Sequence, residues 1–131
     1  MDIVIFTKDK KEKYAIELKF PRNGQYPEQM YKFIEDIKFM EELKKYGFKK
    51  TYSVVVVDDK KFYENNVNKK NTGIYQYFRK DDESEPNSIN GTIKKPTGKK
   101  NQRITLSKEY FIQWQPFDNN ENYRYYIVSI G

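Results

Sequence analysis

Between Tyr14 and Val57 the chain passes, in order, through a stretch of period two, a stretch of helical period and a continuous apolar run. That order constrains the fold more than any other feature. Two strands joined through one helix lie parallel, with the helix crossing over a face of their sheet. In Tyr14-Ala15-Ile16-Glu17-Leu18-Lys19-Phe20, residues Tyr14, Ile16, Leu18 and Phe20 face one way. Ala15, Glu17 and Lys19 face the other. Pro21-Arg22-Asn23-Gly24 breaks the strand. A helix is then expected over 27–46. Pro27 suits a first helical turn, Glu28 complements the positive end, Lys44 and Lys45 the negative end, and Gly47 is the stop. Met30, Phe33, Ile34, Ile37 and Met40 form one apolar face, and Phe39, Leu43 and Tyr46 a second, narrower stripe. Tyr52–Val57 reads as a buried central strand.

Upstream, Ile3-Val4-Ile5-Phe6 is a strand, and the polar connector 7–13 makes a hairpin with 14–20. A turn at Asp9-Lys10 or Lys10-Lys11 sets Asp2 opposite Glu17 or Lys19. Downstream the pattern is weaker. A short helix is expected at Lys60–Glu64, and 74–78 is apolar without a clear period. Residues 81–86 form an acidic loop and 94–100 a basic one. The stretches 109–114 and 123–130 read as antiparallel strands. At 131 residues the whole is expected to be a single domain, with a core at 2–59 and a β-rich extension at 60–131.

Composition narrows the chemistry. The chain holds no Cys and no His. Disulfides, zinc–thiolate sites, imidazole bases and Ser-His-Asp or Cys-His catalysis are therefore excluded. What remains is carboxylates, Lys, Tyr, or a hard cation on oxygen ligands. A net charge of +6 favours an anionic partner, nucleic acid first, or else serves solubility. No apolar run is long enough to span a membrane, and the first residues do not form a signal peptide, so a cytoplasmic location is expected.

Glu17-Leu18-Lys19 is a Glu-x-Lys on a strand, with both charged side chains on one face. Alone, this is a common solvent-facing pair. Its context is Asp2-Ile-Val-Ile, then Tyr14-Ala-Ile-Glu-Leu-Lys-Phe-Pro, then a helix with Gln near its start, then a buried strand. Over residues 2–59 this order resembles the PD-(D/E)XK nuclease superfamily. The resemblance implies an α/β (α+β) fold with a restriction endonuclease-like mixed sheet, one main helix and antiparallel C-terminal strands. It implies Mg²⁺ or Mn²⁺ as cofactor and phosphodiester hydrolysis, with DNA as partner. Asp2 and Glu17, with the Leu18 carbonyl, would bind the metal, and Lys19 would assist the attacking water. Gln25 and Gln29 stand where some members place a supporting Gln. The family Asp normally follows Pro, and its core begins with a further helix and strand. Here Asp2 follows Met1, so a second chain or a shortened core is expected. A homodimer through Phe39, Leu43 and Tyr46 is one way to cover the exposed side. The alternative is that residues 60–131 fold back over the helix.

Lys94, Lys95, Lys99, Lys100 and Arg103 are the candidate phosphate-contacting residues. Tyr75, Tyr77, Phe78 and Trp114 are read chiefly as core, although aromatic side chains can also stack on bases. Asp58 and Asp59 read as a turn or helix cap. The expected function is a metal-dependent nuclease. The competing reading is a catalytically inactive nucleic-acid-binding or protein-interaction module of the same fold.

Overall fold

The computed structural model describes residues 2–65, 72–80, 85–99, 101–117 and 120–131, with positions 2, 120 and 121 described by their backbone. Strands β1 (Asp2–Phe6) and β2 (Lys13–Lys19) form the expected hairpin, in a register that pairs Asp2 with Glu17. Its turn is built by side chains. Thr7 Oγ1 donates to Asp9 Oδ1 (2.6 Å), the Lys11 amide donates to the same oxygen (3.0 Å), and Lys10 takes a positive φ of 58°.

Helix α1 (Tyr26–Lys44) carries Pro27 in its first turn, where no intrahelical donor is lost. Past its end, Gly47 adopts φ 90°, a left-handed conformation that glycine tolerates best. Met30, Phe33, Ile34, Ile37 and Met40 are all buried. The chain returns as β3 (Lys50–Val57), parallel to β2. The βαβ unit expected from residues 14–57 is therefore present. One detail differs: β3 is buried on one face only. Thr51, Ser53, Val55 and Val57 are buried beneath α1, whereas Tyr52, Val54 and Val56 are half-buried. Among the described residues, no helix or strand packs on that second face.

The second half forms β4 (Asn87–Lys94), β5 (Arg103–Ile112), β6 (Gln115–Phe117) and β7 (Asn120–Ile130), after short 3₁₀ turns at Lys60–Phe62 and Gly73–Tyr77. The main sheet runs β1-β2-β3-β7-β6. β7 lies antiparallel to β3, pairing Thr51 with Ile130 and Val57 with Arg124. β4 and β5 make a separate hairpin packed against α1. The molecule is thus mixed α and β, with α1 held between the main sheet and the hairpin. As expected, 109–112 and 123–130 lie in antiparallel strands, each with a different partner. Glu109–Ile112 ends β5 and pairs with β4, and it is β6 that joins β7. The basic loop is the turn of the β4–β5 hairpin. Part of the acidic loop, 81–84, lies outside the described residues.

The C-terminal half covers the helix, as one of the two expected arrangements required. Leu43 packs partly into the core, but Phe39 and Tyr46 stay exposed, so the second stripe is not a buried contact. An aromatic cluster fills the interior. Phe33 lies 5.7 Å from Phe78 and 5.8 Å from Phe62, ring to ring, and Trp114 lies 4.9 Å from Tyr126. Phe78 and Trp114 are core residues; Tyr75 and Tyr77 pack at its margin. No described helix is long and apolar enough to cross a membrane.

Candidate functional site

Strand alternation puts Glu17 and Lys19 on the helix-facing side of β2, beside Ser53 and Val55 of β3. Position 2 faces position 17 across the β1–β2 ladder. Residues facing each other in this way carry their Cβ atoms about 4.5–5.5 Å apart. Asp2, Glu17 and Lys19 therefore occupy neighbouring positions on one face, as the spacing anticipates.

The helix adds a group that the motif does not contain. Lys19 Nζ lies 2.8 Å from Asp36 Oδ2, and both side chains are largely removed from water. Burial pushes the Asp36 carboxyl above its ordinary value, the Lys19 ammonium pulls it down, and Glu35 pushes it up further. The charge of Asp36 also raises the Tyr126 phenol, after the larger effect of complete burial. Ser53 Oγ and the Tyr126 hydroxyl are buried without a hydrogen-bond partner among the described residues. Such groups are rare in folded proteins and commonly meet water or an ion. The face thus offers oxygen donors, the set a hard cation takes. Among the described residues no three carboxylates cluster closely enough to hold an ion.

Asp36 went unread in the sequence because charged residues on helices usually face solvent. A signal was present. Asp36 stands three residues after Phe33 and four before Met40, within the apolar stripe. Gln29 precedes it by seven residues, on the same stripe, and is buried. Its Nε2 donates to Asn23 Oδ1 (3.1 Å), tying down the loop after β2. Gln25 is the exposed residue before the helix and makes no side-chain cap.

The basic loop does not join this site. Thr97 Oγ1 donates to Glu28 Oε1 (3.3 Å), and Lys95 Nζ sits 6.0 Å above the Tyr31 ring. Tyr31 and Asp36 are five residues apart, roughly 140° round a helix axis of 3.6 residues per turn. The loop and the Glu17–Lys19 face therefore lie on different sides of α1. Lys94, Lys99 and Arg103 are exposed, and Lys100 lies outside the described residues. Glu28, Tyr31, Lys32, Glu35, Lys95, Thr97 and Gly98 line a small groove between helix and loop.

Asp59 caps the first 3₁₀ turn, accepting from the Lys61 amide (3.0 Å) and from the Tyr26 hydroxyl. Burial and then that bond push the Tyr26 phenol up to about 12. Asp59 is therefore a cap, as read from the sequence. No family model, curated protein or solved structure matches this chain. The resemblance to PD-(D/E)XK nucleases rests on the residues themselves.

Proposed function

We propose that the chain is a metal-dependent nuclease of the restriction endonuclease-like kind, acting on phosphodiester bonds, with DNA as its partner. The observation that carries this reading is the direct pairing of Asp2 with Glu17, with Lys19 next on the same face. Two carboxylates in facing positions repel unless a positive group sits between them. Asp2, Glu17 and the Leu18 carbonyl would hold Mg²⁺ or Mn²⁺. When bound, such an ion acidifies a water molecule and neutralises phosphate charge. Lys19 would stabilise the charge developing on the phosphoryl oxygens. An ammonium has three donors, and the Asp36 contact leaves Lys19 others to offer. Asp36 would then be a positioning residue that holds the lysine against the sheet.

One observation favours the second reading, an inactive module of the same fold. An ion pair this close neutralises Lys19 and is also what a purely structural pair would look like. Plasmid nicking with Mg²⁺ or Mn²⁺ separates the two. The expected result is cleavage by the wild type that falls about 10²-fold or more in Glu17→Ala and Lys19→Ala, with unchanged circular dichroism. Absence of cleavage by the wild type, alongside salt-dependent DNA binding, would establish the inactive module instead.

A further inference from the structure

The two edges of the main sheet are built differently. The β6 edge is three residues long, contains Pro116 and carries a register irregularity beside Phe117. Short length, proline and irregular pairing are the usual ways an edge is kept from pairing with another chain. The β1 edge has none of these. Its register with β2 is regular from Asp2 to Phe6, and its interior holds neither Pro nor Lys.

β1 is also apolar on both faces. Ile3 and Ile5 belong to the uncovered face of the sheet and are 39% and 47% exposed. Val4 and Phe6 belong to the helix side, where α1 covers β2 and β3 and leaves them 48% and 57% exposed. Among the described residues, four consecutive large apolar side chains therefore stand exposed beside a strand edge that has no partner. A helix or a folded surface would cover one face and leave the other wet. A strand covers both and also satisfies the outward N–H and C=O groups.

We propose that β1 pairs with the β1 of a second copy of this chain, antiparallel about a two-fold axis near Val4. Such an axis sets Ile3 of one copy against Ile5 of the other, and Val4 against Val4. Apolar residues then meet on the outer face, Ile3 against Ile5, and on the helix side at Val4, while Phe6 of each copy lies opposite position 2 of the other. The row 3–6 is uncharged, so two copies of a chain of net charge +6 do not oppose like charges there. The four side chains offer roughly 300 Å² of apolar surface per copy, below what a stable dimer buries, so the pairing is a weak one that leans on the strand-edge hydrogen bonds as well. This surface replaces the helix stripe as the site of self-association.

Sedimentation of the full chain from about 5 to about 500 µM tests the proposal, over the range where small interfaces form. The wild type is expected to pass from monomer to dimer. Val4→Lys, which sets a charge into the edge, is expected to raise the dissociation constant at least about tenfold. Phe39→Lys is expected to leave it unchanged. Hydrogen exchange on the wild type gives a readout that needs no variant: amides within 3–6 gain protection with concentration, while those of 115–117 do not. A monomer throughout, or a dimer lost in Phe39→Lys and kept in Val4→Lys, would overturn the proposal.

Discussion

Glu41 shows how one buried charge can join two layers. It is 5% exposed, on the side of α1 that meets the β4–β5 hairpin. The Ser107 amide donates to both its oxygens (3.1 and 2.9 Å), and the Tyr110 hydroxyl donates to Oε2 (2.6 Å). Burial, then this bond, pushes the Tyr110 phenol far up. Removing the carboxylate strands two donors in the interior. Glu41→Ala is therefore expected to cost about 3 kcal/mol, and Glu41→Gln about half as much, read from urea denaturation midpoints. Asp36 behaves differently. Its folded-state pKa is raised, so the folded protein holds that proton more tightly than the unfolded chain. Stability from this group is greatest in acid and declines as pH rises through the window between its unfolded and folded values. Thermal melts from about pH 4 to about pH 8 should show the wild type gaining on Asp36→Asn as pH falls. A constant gap between the two proteins would place Asp36 in an ordinary carboxylate environment.

At the scale of elements, β4 is the strand that the sequence concealed. Asn87-Ser-Ile-Asn-Gly-Thr-Ile-Lys94 offers only Ile89 and Ile93 as apolar signals, and both are buried. The register slips between Ile89 and Gly91. Opposite that slip, Ser107 of β5 turns its amide to Glu41 on the helix, so the irregularity serves the contact between layers. Gly91 has φ 71°, and a Cβ there would meet no atom within 4 Å. The cost of Gly91→Ala is then conformational alone, about 1 kcal/mol, and a chemical denaturation curve checks it. A much larger loss would mean that the hairpin itself had shifted. β2, α1 and β3 were legible because each carries a strong period. β7 was legible only as a strand, and of β5 only its last residues, 109–112. Their partners depend on long-range pairing, which local periodicity does not encode.

For the whole molecule, the first 59 residues proved readable because hairpin and crossover are local. Counting residues about the turn left Asp2 opposite Glu17 or Lys19, and the structure takes the first, with the turn centred on Asp9–Lys10. The contribution of Asp36 was not open to such counting, since it depends on the rotation of α1 over the sheet. The arrangement of the second half was open between a partner chain and a fold-back. The structure uses the fold-back for the helix and, among the described residues, leaves one sheet face and the β1 edge uncovered. The seam between the layers has an optical consequence. Trp114, the one tryptophan of the chain, lies in the link between the hairpin and β6. Its indole donates to the Phe78 carbonyl (2.7 Å) and packs against Tyr63 and Tyr126. The protein's tryptophan emission therefore originates at the joint between its two sheets. A red shift reports the joint coming apart, and it would precede the loss of the amide circular dichroism signal if the hairpin leaves before the main sheet unravels.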